Sequence, residues 1–319
     1  MPLSTEPLPG TLTTDPLPAL PEHAASGLSP AASRLDRAFA AGREDGRAVL
    51  AAYFPVGYPT FGQSLDTLHA LAEHAGILEL GVPCADPVMD GPVIRAATEQ
   101  SHAAGFRMRD VFLAARLLSA GSPVNLLIMT YWSPVAAYGP DRFAREARDA
   151  GVAGVIVPDL PADGTAWPAA ARSAGLHTVL LPQHGADDAE LARIGAAGGG
   201  MVYAPGLKGL TGSTDPLDGG LEAFVRRARD LTALPVGVGI GVSSPERARA
   251  VSEYADSVIV GSALVRAFQR APAGAGARAA ACLAAELAAG LVHRRRSSSR
   301  PGHRQLRGAE HGRRDHRAT

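Results

Sequence analysis

ILELGVPCADPVMDGP, residues 77–92, is the stretch of this sequence that is most informative about the fold. It opens with a nearly continuous apolar run, 77–82, which is typical of a strand that is buried on both faces of a parallel sheet. Three prolines stiffen the loop that follows, and a helical pattern begins directly after it. A single charged residue, Glu79, interrupts the apolar run. The stretch therefore predicts a buried parallel strand, a rigid loop and a helix.

The same pattern of a short apolar run, a turn signal and an Ala-, Arg-, Glu- and Leu-rich helix recurs along the chain. The predicted strands are 48–54, 77–82, 124–130, 153–158, 177–181, 200–204, 235–239 and 256–260, with 177–181 the weakest of them. Eight such units favour closure into a (β/α)8 TIM barrel over an open doubly wound sheet. An additional helix is predicted at 31–41, before the first strand.

Composition divides the chain into three parts. Residues 1–30 lack periodicity and are predicted to be a disordered leader, 31–290 to be the barrel domain, and 291–319 to be a basic disordered tail. Residues 294–319 contain nine arginines and two acidic residues. Removing these from the chain's 31 basic and 31 acidic residues leaves 22 and 29, so the net charge of residues 1–293 is −7. An acidic body of this kind does not indicate a nucleic-acid-binding domain.

The sequence gives no sign of a metal site, a disulfide framework or a membrane anchor. The two cysteines, Cys84 and Cys282, do not have metal-ligand spacing. The first basic residue is Arg34 and no apolar segment of signal-peptide type precedes it. No run of about 18 apolar residues predicts a membrane span. We therefore expect a cytoplasmic protein without a metal and without a membrane partner.

Glu79 is the first candidate for chemistry. Strand alternation places it on the face of Ile77 and Gly81, inside the predicted barrel. Burial of a carboxylate costs free energy, raises its pKa and suits it to proton transfer near neutral pH. A barrel-interior Glu held by an internal hydrogen bond is the alternative. The loop that follows adds Asp86 and Asp90, for which a turn or helix-capping role competes with a functional one.

Glycine-rich loops after the late strands predict an anion site. GLKGLTG (206–212), GVGIGVSSPE (237–246) and VGSALV (260–265) follow strands six, seven and eight. Phosphate sites in barrels commonly use the loops after strands seven and eight together with a helix N-terminus. Lys208, the only lysine in the chain, lies in the first of these loops. It could contact the phosphate or face water.

The motifs LELGVPCADPVMDGP, MTYWSPV (129–135), VPDLP (157–161), GLTG (209–212), GVGIGVSSPE and VGSALV together resemble the tryptophan synthase α subunit family. They follow the family's order and spacing across roughly residues 33–270. The resemblance implies a lyase of tryptophan biosynthesis that cleaves indole-3-glycerol phosphate to indole and glyceraldehyde 3-phosphate without a cofactor. It also implies a β subunit partner in an α2β2-type complex, with pyridoxal phosphate bound only by that partner.

The resemblance also assigns residues. It implies that Glu79 protonates the indole ring carbon and relays the proton of the glycerol hydroxyl, and that Asp90 binds the indole N–H. Tyr203 corresponds to the active-site tyrosine of strand six. The implied substrate-binding residues are Tyr53, Tyr131, Asp159, Gly212, Gly241, Gly261 and Ser262, of which the last four form the phosphate cradle.

The sequence departs from the family pattern at Cys84, Ala85, Ser133 and Gly206. Cys84, Ala85 and Ser133 lie in regions through which the family contacts its β subunit, and Gly206 lies in the family's mobile loop, so the departures put communication with the partner in question more than the chemistry. Three alternatives stay open: a stand-alone indole-releasing paralogue, a non-catalytic phosphate-binding regulatory subunit, and a phosphate-binding isomerase barrel. The carboxylate pair at strand two disfavours the last two.

Overall fold

The computed structural model describes residues 27–161, 166–183, 185–204, 219–239 and 241–291, and in these ranges strands and helices alternate. The strands are β1 Val49–Pro55, β2 Ile77–Gly81, β3 Asn125–Met129, β4 Gly154–Ile156, β5 His177–Val179, β6 Val202–Ala204, β7 Val236–Val238 and β8 Ser257–Val260. The helices are α1 Pro30–Glu44, α2 Phe61–Ala72, α3 Pro92–Ala103, α4 Met108–Gly121, α5 Trp132–Tyr138, α6 Pro140–Asp149, α7 Ala166–Ser173, α8 Asp188–Ala197, α9 Gly219–Thr232, α10 Pro245–Ser252, α11 Ser262–Arg270 and α12 Gly276–Gly290.

The eight strands form one parallel sheet in the order β5-β4-β3-β2-β1-β8-β7-β6. A parallel bridge between Leu180 and Val202, together with a 3.1 Å hydrogen bond from the Tyr203 N–H to the Leu180 carbonyl, joins β5 to β6. We call this β5–β6 junction the seam. It closes the sheet into the predicted (β/α)8 barrel, and the weakest predicted strand, 177–181, is confirmed as the three-residue β5.

Strand alternation sorts the core into two layers. Residues such as Ala51, Ile77, Leu127 and Ile259 point into the barrel and form an inner cluster. Their neighbours along the strands pack outward against the helices in a larger cluster that includes Leu78. Because β2 is buried on both faces, its sequence is apolar at every position except Glu79.

Helix α1 covers the N-terminal end of the barrel. Its apolar residues Ala31, Leu35 and Phe39 pack on the inner cluster and exclude water from that end. The helix is also joined to β5, because Asp36 Oδ1 lies 2.9 Å from Nε2 of the buried His177. The helix predicted at 31–41 is confirmed with slightly wider bounds.

The start of α1 moves the boundary of the barrel domain. Ser29 caps α1, since its side chain accepts a hydrogen bond from the Ala32 N–H at 3.1 Å, and the Ser29 N–H donates to the Gly175 carbonyl at 2.9 Å. Ser29, which the predicted leader 1–30 includes, thus contacts the barrel domain. The leader and tail predictions for 1–26 and 292–319 fall outside the described residues.

A second polar cluster lies near the same end of the barrel. The buried carboxylate of Asp256 accepts hydrogen bonds from the Val236 N–H at 2.9 Å and from the Arg229 guanidinium at 3.0 Å. Arg43 of α1 is 3.6 Å from its other oxygen. This cluster connects β7, β8, α9 and α1.

None of the helices in the described ranges combines the length and the apolar character that a membrane span requires.

Candidate active site

A cavity opens at the C-terminal ends of the strands, the end at which barrel enzymes place their chemistry. Side chains from most of the strands reach it because inward-facing positions at the strand ends converge there. Its described lining is Tyr53, Glu79, Met89, Asp90, Ile94, Met129, Ile156, Pro158, Leu181, Tyr203, Gly239, Ile259, Gly261 and Ser262. The wall is mainly apolar and aromatic, with two carboxyl groups and three glycine or serine positions at its rim.

Glu79 lies inside the cavity and is 1% exposed. In the sheet it stands beside Tyr53 of β1 and Leu127 of β3. Its Oε1 atom has no hydrogen-bond partner within the described part of the chain. Burial raises the pKa of Glu79 to about 8. A purely structural role would require an internal hydrogen bond, and none is seen for Oε1. With a pKa of about 8, the carboxyl is neutral at pH 7 and able to exchange a proton.

Asp90 is buried but is held differently. The Tyr131 hydroxyl donates to Asp90 Oδ1 at 2.8 Å, and the Met89 N–H donates to the Tyr131 oxygen at 3.2 Å. Burial raises the pKa of Asp90, while the hydrogen bond from Tyr131 and the charge of Arg95 act in the opposite direction. Helix α3 has Gly91 as its N-cap and no side-chain cap, so the capping interpretation of Asp90 is wrong.

Tyr53 is buried and Tyr203 is half-buried, and each lies over a glycine: Gly81 at the end of β2 for Tyr53, and Gly239, directly after β7, for Tyr203. A Cβ atom on Gly81 would be 2.5 Å from Cζ of Tyr53, and a Cβ atom on Gly239 would be 2.6 Å from Cζ of Tyr203. Burial raises the pKa of both phenols well above 10, with a further contribution from the charge of Glu79. Both hydroxyls therefore stay protonated and can act as hydrogen-bond donors.

The rim beside β8 has the features of an anion site. Gly261 is the N-cap of α11 and Ser262 is its first residue, so the start of this helix, where backbone N–H groups favour an anion, lies at the cavity wall. Gly241 adopts a left-handed φ of 73°, and its carbonyl accepts a hydrogen bond from Arg247 at 2.8 Å. It is not in the described lining, so the structure brings Gly261 and Ser262, but not Gly241, to the cavity wall.

Several predicted residues lie elsewhere or outside the described ranges. Asp159 Oδ1 accepts a hydrogen bond from the Trp132 N–H at 2.7 Å, so this carboxylate joins the loops after β4 and β3 rather than lining the described cavity. Gly212, Gly206 and Lys208 lie outside the described residues. Two of the departures from the family pattern are neighbours, because Cys84 Sγ is 4.0 Å from Ser133 Oγ.

Sequence reasoning missed part of the lining. Gly81 and Gly239 were read only as members of motifs, although each provides space for a tyrosine ring. The apolar wall was also missed, and strand alternation could have found it: Met129, Ile156 and Ile259 occupy inward-facing strand positions.

No group of three or more His, Cys, Asp or Glu side chains in the described ranges is arranged to hold a metal ion.

A closed parallel barrel that places a buried protonatable carboxyl, a hydrogen-bonded second carboxylate and an anion-binding helix start at one mouth defines an enzyme of the phosphate-binding (β/α)8-barrel class. Similarity to known proteins narrows the class. The sequence profile of the tryptophan synthase alpha chain matches residues 39–291. The chain belongs to the tryptophan synthase alpha chain family.

Individual relatives agree with this assignment. The tryptophan synthase alpha chain of Leifsonia xyli subsp. xyli is 42% identical over 262 residues, which cover 82% of this chain and 99% of the relative. That of Streptomyces coelicolor is 42% identical over 260 residues, covering 81% and 96%. A solved structure of Mycobacterium tuberculosis tryptophan synthase contains a similar chain, with a TM-score of 0.74, 38% identity, and coverage of 83% of this chain and 99% of that one.

Family membership confirms the resemblance that the motifs predicted. It supports a lyase role in tryptophan biosynthesis, and none of these matches favours the stand-alone, regulatory or isomerase alternatives.

Proposed function

We propose that this chain cleaves the carbon–carbon bond of indole-3-glycerol phosphate to give indole and glyceraldehyde 3-phosphate, as a carbon–carbon lyase of tryptophan biosynthesis. One observation carries the proposal: Glu79, Asp90 and the start of α11 line one cavity. The cavity thus combines a proton carrier, a hydrogen-bonded carboxylate and an anion site within the reach of one small phosphorylated substrate.

Glu79 performs the proton transfers. The bond breaks after a proton adds to the indole ring carbon, because the ring can then accept the bonding electrons. The neighbouring glycerol hydroxyl loses its proton and its oxygen becomes the aldehyde carbonyl. A carboxyl with a pKa of about 8 can donate the first proton and accept the second, so one residue completes both transfers.

Asp90 stabilises the protonated ring. Protonation of the ring carbon makes the ring nitrogen electron-poor and its N–H a stronger donor. The Tyr131 hydroxyl favours the ionised form of Asp90 by donating to it at 2.8 Å, so a negative charge faces that N–H.

Substitution of Asp90 tests this role. Asp90→Asn keeps the shape but removes the negative charge, and we expect the kcat for indole release to fall about 10²-fold or more. Tyr131→Phe is the matched variant, because it keeps Asp90 but removes the hydrogen bond to it; we expect a loss of about 10-fold. An Asp90→Asn variant that matches the wild-type kcat would exclude an electrostatic role for Asp90.

The remaining residues bind the substrate. Gly261 and Ser262 provide the N–H groups of α11 for the phosphate, and Gly241 and Gly212 complete the cradle that the resemblance implies. Tyr53, Tyr131 and Tyr203 supply flat apolar surface for the indole ring and hydroxyl groups for its polar edges. The proposed role of Asp159 is indirect, since it orders the loop before Trp132.

A β subunit is the proposed macromolecular partner, and pyridoxal phosphate belongs to that subunit. The matched M. tuberculosis structure is one of tryptophan synthase. Cys84, Ala85 and Ser133 lie in or beside the loops after β2 and β3, where the family contacts its partner. Because these residues and Gly206 depart from the family pattern, we expect weaker activation than the 5–150-fold range that a coupling of ~1–3 kcal/mol gives.

The cytoplasmic location stays a prediction.

The decisive experiment is an assay of indole release from indole-3-glycerol phosphate across a titration of a family β subunit, alongside a pull-down. Release that requires no partner, together with weak association, would favour the stand-alone lyase. Tight association with stimulation at the top of the range would contradict the expected weak coupling. No release under any condition, from a folded protein that binds the substrate, would refute the proposed reaction.

A further inference from the structure

Gly81 is not explained by the conformation of its backbone. It ends β2 in regular parallel register with Pro55 of β1 and Met129 of β3, and its carbonyl accepts a hydrogen bond from the Val56 N–H at 2.9 Å. Its φ is not in the left-handed region that favours glycine. Glycine in a strand is normally unfavourable because it contributes no side-chain packing. A specific close approach must therefore account for the missing side chain.

The close approach is made by Tyr53. A Cβ atom on Gly81 would be 2.5 Å from Cζ and 2.6 Å from Cε2 of that ring, far inside the ~3.5–4 Å at which carbon atoms pack. On the opposite side, a Cβ atom on Gly261 would be 3.1 Å from Cδ1 of the same ring. Gly81, which ends β2, and Gly261, which directly follows β8, thus flank β1 on its two sides and together form a slot for the phenol.

The slot decides where the phenol stands relative to the chemistry. Tyr53 is the register partner of Glu79, and both line the cavity. A methyl group on residue 81 would push the ring away from β2. A retreat towards β8 is limited by Gly261, where an added Cβ atom would be 3.1 Å from Cδ1 of the ring. The remaining direction is into the cavity, where the substrate ring must bind.

From this geometry we infer that Gly81 is a positioning residue and a determinant of pocket width: it acts through Tyr53 and does not itself touch the substrate. This inference rests on the proposed function for its kinetic readout, but the contact between Gly81 and Tyr53 does not depend on it.

The test is a double-mutant cycle of Gly81→Ala in the wild-type and Tyr53→Leu backgrounds. In the wild-type background we expect kcat/KM to fall about 10²-fold, mainly through a higher KM, since a misplacement of about 1 Å in an active site has costs of this size. In the Tyr53→Leu background the smaller side chain leaves room for the methyl group, so the same substitution should cost less than about 3-fold relative to Tyr53→Leu alone.

Gly237→Ala is the matched control. Gly237 is also an inward-facing strand glycine, but the nearest neighbours of its Cβ would be the ends of flexible side chains, at 3.0 Å from Ile259 Cδ1 and 3.1 Å from Met201 Sδ, and Ser257 Cβ at 3.4 Å would be an ordinary van der Waals contact. We expect its KM to stay within about 3-fold of the wild-type value. Equal losses for Gly81→Ala in both backgrounds would overturn the inference, because they would show that Gly81 acts independently of Tyr53.

Thermal unfolding of the four proteins of the cycle and of Gly237→Ala separates this inference from the proposed function. If wild type and Gly237→Ala release no indole, the proposed reaction fails, but the slot is still tested by Tm. Gly81→Ala should lower Tm in the wild-type background and leave it within about 1–2 °C in the Tyr53→Leu background. If the single variant Gly81→Ala does not fold but the double variant with Tyr53→Leu does, the role of the slot is supported. If neither the single nor the double variant folds, that role is refuted.

Discussion

Two buried carboxyl groups at opposite ends of the barrel, Asp256 and Glu79, are held in opposite ways. At the N-terminal end, His177 is paired with Asp36, and Asp256 accepts hydrogen bonds from Arg229 and from a backbone N–H. At the C-terminal end, Glu79 is as deeply buried but its Oε1 atom lacks a partner among the described residues.

The difference shows how one inner surface serves two purposes. Ile77 and Glu79 lie two residues apart on the same face of β2, yet the first packs in the cluster beneath α1 and the second lines the open cavity. Pairing a buried charge limits its desolvation cost, whereas leaving a carboxyl unpaired keeps its proton available. The paired Asp256 therefore contributes stability, whereas Glu79 gives up stability for chemistry.

The strongest test of this contrast is Glu79→Gln. The amide keeps the shape of the side chain but cannot carry the proton, so we expect kcat for indole release to fall by about 10²–10⁴-fold with little change in substrate affinity. Single-turnover indole release and equilibrium substrate binding measure the two quantities separately. A variant with near wild-type kcat would remove Glu79 from the centre of the mechanism.

At the opposite end, Asp256→Ala should affect folding instead. It leaves the partly buried Arg229 and the Val236 N–H without their carboxylate, and we expect a loss of roughly 2–4 kcal/mol in the free energy of unfolding. Urea denaturation measures this loss, while kcat/KM at 25 °C should stay within about 2-fold of wild type. Glu222→Gln is the control, since it breaks only the exposed pair with Arg226 and should cost less than ~0.5 kcal/mol. A larger effect on kcat/KM than on unfolding would contradict the division between the two ends.

The pH dependence of stability sharpens the contrast further. The folded-state pKa of Glu79 is raised to about 8, so the folded protein binds one more proton than the unfolded chain between the unfolded value near 4.5 and pH 8. Stability from this group is thus highest below pH 4.5 and is lost as pH rises to 8.

Glu79→Gln removes that titration. As pH rises from 5 to 8, the free energy of unfolding of the variant should increase by about 1–2 kcal/mol relative to that of wild type. This gain is below the upper limit of roughly 5 kcal/mol that the full pKa shift of Glu79 implies. Chemical denaturation of both proteins across this range measures the gain. A difference that is flat with pH would show that Glu79 is not neutral in the folded state.

The smallest expected effect concerns the segments beyond the barrel. A chain of residues 27–291 should retain indole release and a Tm within a few degrees of the full chain. A chain of residues 31–291 is the comparison, because it also lacks the Ser29 cap; loss of such a cap costs about 1 kcal/mol and should lower Tm by a further 2–4 °C. Unfolding of the 27–291 chain would show that the terminal segments stabilise the barrel.

The fold was predictable because its signals are local. Each strand contains an apolar run in the sequence, and strand alternation alone places the Glu79 side chain on the inward face of β2. The strand predicted at 177–181 was the weakest, and the observed β5 spans only three residues, which give little pattern.

Contacts between distant segments were not predictable in the same way. The bond from Tyr131 to Asp90 joins residues 41 positions apart, and only the fold brings them together. The capping role considered for Asp90 failed for this reason: the local pattern was right for a cap, but a tertiary partner takes the carboxylate. The pairing of Asp36 with His177 and the slot beside Gly81 likewise depend on how strands and helices meet, which a single sequence does not encode locally.

The seam has a consequence for how the chain could be divided. The first and last strands, β1 and β8, are joined by four residue pairs, whereas β5 and β6, in the middle of the sequence, share a single bridge. Cutting the chain between β5 and α8 would keep the pairings among β1–β5 in one fragment and those among β6–β8 in the other, so that the β1–β8 pairing and the single bridge would join the sheets of the two fragments. The extended strand pairing between the two fragments would be the one between β1 and β8. We expect the fragments to reassemble when mixed. Cleavage of the chain at this connection would then still allow the barrel to form.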